Sequence, residues 1–190
     1  MAEWVLAAER AYVAQATGGT VPTGGDDAQL PMARAAAGAV ASRYLAVGTP
    51  RSLGLVVGDP ATVDQAALSL FAHRTWFQPT DVRCAGTGAE ELAGSIGGRA
   101  TSLTEVLACD IVCVHAPLAL EAGTLRRGTH LNLLAPCTLS PELSQLATVT
   151  TEEPGLAELA AGLVDGRQLD EITVFVLGSA RIALAAVSAS

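Results

Sequence analysis

The segment 51–63, with the sequence RSLGLVVGDPATV, constrains the fold of this chain more than any other. The apolar run 53–57 predicts a buried strand, residues 58–60 predict a tight turn, and a helix is expected to begin near Ala61. In an open α/β sheet, the first strand-to-helix turn binds a pyrophosphate against the helix N-terminus. Pro60 stands where a G-x-G-x-x-G turn has glycine, and proline has no N–H to offer a phosphate. The segment therefore predicts a nucleotide-binding fold with an altered phosphate turn.

Predicted strands and helices alternate along the rest of the chain. Further strands are expected at residues 81–85, 99–102, 110–115, 129–135, 147–150 and 172–176. Such alternation implies a parallel sheet that is covered on both faces. Helices are also expected at residues 4–16 and 31–47 and at the alanine-rich C-terminus. The fold class is therefore α/β, a Rossmann-like parallel sheet with helices on both faces and flanking N- and C-terminal helices.

The pattern divides the chain into three segments. Residues 1–30 hold the N-terminal helix and a glycine-rich loop, and residues 31–150 form the Rossmann-like domain. Residues 151–190 form a C-terminal helical extension, which we expect to pack back on the N-terminal helices.

Composition and charge exclude several classes of function. The chain has no run of about 18 or more apolar residues, so no membrane span is predicted. The net charge of −8 argues against a nucleic-acid partner. All eleven basic residues are arginine, which excludes Schiff-base chemistry and a Walker-type phosphate lysine. Glu3 and Glu9 lie where a signal peptide would be basic, and the four cysteines form no C-x-x-C pair, so a cytoplasmic protein is expected.

Several stretches, taken in order, resemble the ornithine cyclodeaminase/mu-crystallin family. They are PMARAAAGAVASRYL (31–45), SLGLVVG (52–58), the segment 103–135 with its DIV and GTHLN motifs, and DGRQLDEITVF (165–175). The resemblance covers nearly all of this chain but only part of a full-length family member. A long stretch of those members has no counterpart here, between Pro22 and Gln29. In full-length members that stretch holds most of the substrate-binding and dimerising sheet. The resemblance therefore implies a shortened member, in which residues 1–30 are a remnant of the substrate domain.

The resemblance implies some retained site residues. Members bind NAD(H) or NADP(H) and either deaminate and cyclise ornithine or reduce imines and keto acids. Arg34 lies where the family has an arginine that holds the substrate carboxylate, a role that suits a guanidinium. Arg34 could equally be a solvated residue of the first helical turn. His130 and Asn132 fall within the retained G-T-H-x-N motif.

Other residues depart from the family pattern. Pro60 replaces the second glycine of the phosphate turn, and Ala85 and Gly86 stand where an acidic residue would hold the adenosine ribose. Pro136 corresponds to the catalytic aspartate of the cyclodeaminase, and Ser140 to a lysine of the same motif. The candidate cofactor-binding residues are those of the degenerate turn, Gly58, Asp59, Ala61 and Thr62. We expect no cofactor, or at most weak binding of NAD(H) or NADP(H).

The weak candidates for catalysis are His115, His130 and Cys137. His115 ends an apolar strand at the edge where ligands bind in open α/β sheets, although a structural histidine fits the position as well. Cys137 could be an exposed nucleophile near His115, or simply a free thiol. Asp59 is interpreted as a helix cap or as part of a ligand site. His73 is expected at the surface, and no metal-ligand spacing is present.

Two classes of function are compatible with these residues. In the first, the chain is a degenerate ornithine cyclodeaminase-like protein without cyclodeaminase activity, a pseudoenzyme that acts as a binding or assembly component. In the second, it is a small biosynthetic enzyme that uses the residual crevice, such as an NAD(P)-dependent imine or keto-acid reductase or a repurposed non-redox enzyme. A homodimer is expected in either case, formed by apolar surface of residues 31–47 and 172–187. A separate protein partner is the further option.

Overall fold

A computed structural model describes residues 2–166 and 170–190, in which strands and helices alternate as the sequence predicts. In chain order the elements are α1 (Glu3–Thr17), α2 (Leu30–Leu45), β1 (Ser52–Val57), α3 (Val63–His73), β2 (Asp81–Gly86), α4 (Ala89–Ile96), β3 (Arg99–Ala100), α5 (Leu103–Leu107), β4 (Ile111–Val114), β5 (Leu118–Leu120), β6 (His130–Leu133), β7 (Cys137–Leu139), α6 (Pro141–Leu146), β8 (Ala147–Thr151), α7 (Ala157–Ala160), β9 (Ile172–Val176) and α8 (Arg181–Ser188). Part of the family-like segment 165–175, namely residues 167–169, lies outside the described residues.

Seven strands form one parallel sheet in the order β3-β2-β1-β4-β6-β9-β8. The chain builds outward from β1 in one direction and then returns to β4 on the other side of β1. The strand order therefore reverses between β1 and β4, which is where ligands bind in sheets of this kind. The Rossmann-like fold class predicted from the sequence is confirmed.

Side chains of the central strands alternate between two cores, one on each face of the sheet. Leu53, Leu55 and Val57 of β1 belong to the larger core, beneath α1, α2, α3, α4 and α8. Val56 points to the smaller core and joins Val106 of α5 there. Because both faces are covered there, β4 and the part of β1 from Leu53 to Val57 are apolar throughout rather than alternating with polar residues.

The expectation that α2 and the C-terminal tail expose an apolar interface is wrong. The small side chains of α2 are buried, and so are most residues of α8. The reason is that α1, α3 and α8 surround α2 and cover the surface that the sequence suggested was open. The homodimer itself stays a prediction.

A buried carboxylate holds the C-terminal segment against the N-terminal helix. Glu152 accepts hydrogen bonds from the Tyr12 hydroxyl (2.9 Å) and from the Ala180 N–H (2.8 Å), and it is 2% exposed. Burial raises the pKa of Glu152 above its usual value, although the hydrogen bonds from Ala180 and Tyr12 lower it. The bonds join α1, the segment before α7 and the start of α8. Glu152 therefore connects α1 to residues on both sides of β9.

Some elements differ from the sequence expectation. The sequence predicts the helix after β1 over residues 61–77, whereas α3 ends at His73. The sequence also missed three short elements, β5, β7 and α6. β5 and β7 pair in parallel as a separate two-stranded sheet, and at three residues each they are too short to show a period. The proposed boundary at residue 150 falls within one sheet, since β9 lies between β6 and β8, and the three-segment division stays a prediction.

Among the residues described, no helix combines the length and the hydropathy that a bilayer span requires.

Gly54 allows α5 to approach β1 closely, and we expect Gly54→Ala to destabilise the fold. A Cβ at position 54 would lie 2.6 Å from the Val106 carbonyl oxygen. Overpacking of this kind costs about 1–3 kcal/mol. Gly94→Ala in α4 is the matched control, because nothing lies within 4 Å of its Cβ, and it should stabilise by about 0.5–1 kcal/mol. Urea denaturation measures the free energy of unfolding of both variants. Equal values for the two would contradict the close contact between Gly54 and Val106.

Candidate functional site

The carboxyl ends of β1, β4, β6 and β9 meet at one edge of the sheet, and the candidate site lies there. The β1–α3 turn, His115 after β4, Pro136 after β6 and Gly178 after β9 follow these ends directly. The N-terminal part of α2 brings Arg34 to the same edge. Two parts of this edge differ sharply, the turn after β1 and the crevice beside β6 and β9.

The turn after β1 is closed by its own side chains. Asp59 accepts a hydrogen bond from the Thr62 N–H (3.0 Å), so the interpretation of Asp59 as a helix cap is confirmed. The Thr62 hydroxyl accepts from the N–H groups of Gly58 (3.1 Å) and Asp59 (3.3 Å) and donates to the Asp59 carbonyl (2.7 Å). The backbone N–H groups of Gly58, Asp59 and Thr62 therefore already have partners within the chain.

The two glycines beside the turn pack closely against neighbouring residues. A Cβ at Gly58 would lie 2.9 Å from the Ala116 Cβ, so the turn already contacts the end of β4. Gly86 has φ +102°, and a Cβ there would lie 1.9 Å from the Val57 carbonyl oxygen. An acidic residue for the ribose therefore cannot stand at Gly86, and Ala85 is buried. Neither Gly58 nor Gly86 therefore has room for a side chain.

Arg83 on β2 is not available for the 2′-phosphate of NADP(H). Its guanidinium pairs with Asp81 at 2.6 Å and also donates to the Glu105 carbonyl at 2.9 Å. The Arg83 hydrogen bond holds the pKa of Asp81 below its usual value although burial opposes it.

The crevice beside β6 and β9 stays open. It is a cavity of about 350 Å³ lined by Arg34, Leu133, Leu134, Ala135, Pro136, Cys137, Leu139, Val176, Leu177 and Gly178. Most of the lining is apolar, and Arg34 contributes its charged group. No carboxylate within the described residues forms an ion pair with Arg34. The structure therefore places Arg34, Pro136 and Cys137 around one cavity.

His115 is buried behind this edge. It is 5% exposed, and its Nε2 has no hydrogen-bond partner among the described residues. Burial, together with smaller effects of His73 and of the charge of Arg34, lowers the pKa of His115 to about 3. The imidazole is therefore neutral, and it does not belong to the lining of the crevice. It could accept a proton only if this environment changed.

His130 does not reach the candidate site. It is the first residue of β6, at the amino edge, and it is fully buried. Nε2 lies 3.1 Å from the Asn132 Oδ1, and Nδ1 lies 2.9 Å from the Thr173 hydroxyl. Burial lowers the pKa of His130 to about 3. At this position His130 is a structural residue of the core and does not line the candidate site.

His73 was expected at the surface, and that prediction is wrong. Its ring is 1% exposed, with Nδ1 2.7 Å from the Ser69 carbonyl and Nε2 2.8 Å from the Ser42 hydroxyl. Burial lowers its pKa to about 4. The helical spacing of residues 66, 69 and 73, which share the buried face of α3, was the signal that could have shown this.

Asn132 joins the two histidines into one buried polar chain. The Asn132 amide donates to the Ser42 hydroxyl (2.8 Å), and its carbonyl faces His130. The hydrogen-bond partners assign the tautomers. His73 donates from Nδ1 to the Ser69 carbonyl, so its Nε2 accepts from Ser42; His130 donates from Nε2 to Asn132. With both imidazoles neutral, each hydrogen bond of this chain has one donor and one acceptor. The retained Asn132 is therefore a core residue that links β6 to α2.

Cys137 lacks the environment of a nucleophile. Its Sγ lies 3.6 Å from the Ala116 carbonyl oxygen, and burial raises the pKa of the thiol. No described histidine hydrogen-bonds to it, and all four cysteines are free. The described residues also hold no cluster of three or more histidine, cysteine or acidic side chains that could bind a metal.

Solved structures with this fold are enzymes of the ornithine cyclodeaminase and alanine dehydrogenase type. An archaeal alanine dehydrogenase dimer with bound NAD is 23% identical, with a TM-score of 0.67 over 84% of this chain and 62% of that chain. Thermococcus litoralis Δ1-pyrroline-2-carboxylate reductase, in complex with NADH and L-proline, is 23% identical, with a TM-score of 0.66 over 84% and 64%. A probable ornithine cyclodeaminase from Bordetella pertussis Tohama I is 21% identical, with a TM-score of 0.67 over 86% and 66%.

These comparisons confirm, at the level of the fold, the resemblance read from the sequence. This chain spans less than two thirds of the length of these structures, as expected for a shortened relative. No protein-family model matches the chain. No curated protein sequence matches it. Neighbours hold NAD or NADH in their complexes, so NAD(H) is a plausible ligand for this fold, and the sequence expectation of no cofactor has no support from them.

The three buried histidines should make the fold sensitive to acid. Their pKa values are lowered from 6.5 to about 4, 3 and 3, so the unfolded state binds protons first as the pH falls. The free energy of unfolding is therefore highest above pH 6.5. As the pH falls from 6.5 towards these folded pKa values, each histidine lowers it by about 1.4 kcal/mol per pH unit. Urea denaturation at pH 7.5 and 5.5 should differ by about 3–4 kcal/mol.

His115→Gln is the control for this prediction, because it removes one titrating group whose Nε2 has no described partner. It should reduce the pH dependence by about one third. Glu152 cannot cause the effect, since its raised pKa destabilises the fold as the pH rises rather than falls. Equal stability of the unmodified chain at the two pH values would contradict the neutral state of the histidines.

Proposed function

We propose that this chain is an ornithine cyclodeaminase-like Rossmann protein that binds a small carboxylate in the Arg34 crevice and does not catalyse cyclodeamination. Its role is that of a binding component. The observation that carries the proposal is the contrast at the sheet edge, where the phosphate turn is closed by Asp59 and Thr62 while the crevice with Arg34 is open.

The crevice suits a carboxylate with an apolar body. Arg34 is half-buried and has no described acidic partner, so its guanidinium can form the bidentate hydrogen bonds that carboxylates favour. Leucine and valine side chains form most of the remaining wall. A cavity of about 350 Å³ accommodates a compact ligand, in the lower part of the range for small-molecule sites.

Absence of cyclodeaminase activity follows from what the crevice lacks. The reaction needs a hydride acceptor and an acid/base group. Pro136 lines the cavity where the family's aspartate would stand, and Pro136 cannot exchange a proton. The neutral His115 is buried outside the lining. Because the phosphate turn is closed, we expect the cofactor to bind only weakly.

One observation favours a second candidate, a non-redox enzyme. His115 lies at the carboxyl edge of β4, close enough to Arg34 to be affected by its charge, and its buried Nε2 has no described partner. Buried polar atoms are usually hydrogen-bonded, and an exception at a ligand-binding edge is typical of a functional group. A ligand-induced opening would allow this imidazole to act as a base.

Replacement of Arg34 should weaken carboxylate binding. Benzoate is the probe, and benzamide, which has the same ring without the charge, is its control. A charge-assisted hydrogen bond contributes about 1.5–3 kcal/mol, so Arg34→Ala should weaken benzoate roughly 10- to 100-fold by calorimetry. The control Arg127→Ala removes an exposed arginine at the start of β6, at the opposite edge, and should have no effect. Equal binding of benzoate and benzamide would contradict the proposal.

NAD(H) and NADP(H) should bind with dissociation constants of millimolar order. The turn donors are used internally, and Asp59 places a negative charge where the phosphates would lie. Two like charges about 4 Å apart cost roughly 1 kcal/mol in water, and each lost charge-assisted hydrogen bond adds about 1.5–3 kcal/mol. The double change Asp59→Thr with Pro60→Gly should strengthen NADH binding at least about tenfold.

The control for the turn variant is Asp64→Thr, which removes an acidic residue from the first turn of α3 without altering the phosphate turn. Calorimetry with NADH should detect no comparable gain. Low-micromolar binding by the unmodified chain, or NAD⁺-dependent release of proline from ornithine above a blank, would favour the enzyme over the binding component.

A further inference from the structure

β8 lies at the outer edge of the seven-stranded sheet. It pairs with β9 on one side, and within the described residues no strand pairs with its other side. Thr148, Val149 and Thr151 are exposed. The outer row of backbone N–H and C=O groups is therefore open to pairing, and natural sheets usually cover or charge such an edge. No residue of β8 itself is charged.

Apolar side chains concentrate around this edge. Of the six exposed large hydrophobic residues described, four lie here: Leu146, Val149, Leu163 and Val164. Val149 and Val164 also line a cavity of about 250 Å³ together with Pro154 and Leu159. Contiguous exposed apolar groups of this kind mark interaction sites. We define β8 with Pro154, Leu159, Val164 and Asp165 as the β8 edge surface.

The charge around the β8 edge surface is acidic. Asp165 lines the cavity, Glu153 follows β8 and is exposed, and Glu171 accepts a hydrogen bond from the Thr148 hydroxyl (2.8 Å). Among the described residues that line the cavity, none is basic. A second copy of this chain would bring the same acids to the interface, and the whole chain carries −8. A basic partner is complementary to this surface, and a second copy is not.

We propose that the β8 edge surface binds an extended, basic segment of a partner protein as an eighth strand of the sheet. The segment's backbone pairs with the open edge of β8, which gives affinity independent of sequence. One apolar side chain of the segment enters the cavity lined by Val149 and Val164, and flanking lysine or arginine residues face Glu153 and Asp165. This site is separate from the Arg34 crevice, because the two cavities share no lining residue.

The test uses a blocked peptide of alternating lysine and valine, about nine residues long, to span a strand of ordinary length. Its binding to the full chain is measured by fluorescence anisotropy. Val149→Lys places a charge in the middle of the edge strand and should weaken binding at least roughly tenfold. Phe71→Lys is the matched control, since it adds the same charge at another exposed apolar residue, in α3, and should leave binding nearly unchanged. Asp165→Asn gives a second variant that does not alter the strand, and it should also weaken binding.

Two comparison peptides complete the test. A valine–glutamate peptide of the same length should not bind, and a lysine–valine peptide with a central proline should bind weakly because proline cannot pair with the edge. Equal weakening by Val149→Lys and Phe71→Lys would overturn the proposal in favour of non-specific charge attraction. Self-association in sedimentation that Val149→Lys abolishes would assign the edge to a second copy and overturn it as well.

Discussion

The close contact between α2 and β6 determines where the other parts of the molecule lie. A Cβ at Gly38 would already stand 3.3 Å from Leu134 and 3.5 Å from Asn132, so α2 lies almost directly on the sheet. The hydrogen bond from Asn132 to Ser42 fixes the helix along its axis. Small side chains allow this approach, and a helix of larger residues could not lie as near. The alanine-rich composition of α2 is therefore a packing requirement.

Two neighbouring parts of the candidate site differ in whether their polar groups already have partners. Helix N-termini bind anions because their N–H groups lack partners within the helix. In this chain Asp59 and Thr62 supply those partners from the turn itself, and the helix needs no phosphate. The crevice is independent of this turn, because its lining comes from α2, β6, β9 and their following loops. Closure of one part therefore leaves the other accessible.

Much of the fold could be predicted from sequence because its signals are local. The apolar strand, the tight turn and the capping role of Asp59 all depend on residues within a few positions of one another. The hydrogen bond between His73 and Ser42 and the anchoring role of Glu152 depend on partners 31 and 140 residues away. A single sequence shows no sign of such pairs. Likewise, His130 belongs to a retained motif. Only the packing of α2 against β6 shows that the residues of this motif are buried in the core.

The crevice and the buried polar chain are joined through one face of α2. Arg34, Gly38 and Ser42 are spaced by four residues, so they lie on the same side of the helix. Arg34 faces the crevice, Gly38 contacts β6, and Ser42 accepts from Asn132. Any movement of Arg34 along the helix axis would have to break the Ser42 hydrogen bonds in a region without water to replace them. The backbone of Arg34 is therefore positioned before a ligand arrives, and this part of the cost of ordering the site is borne by folding rather than by binding.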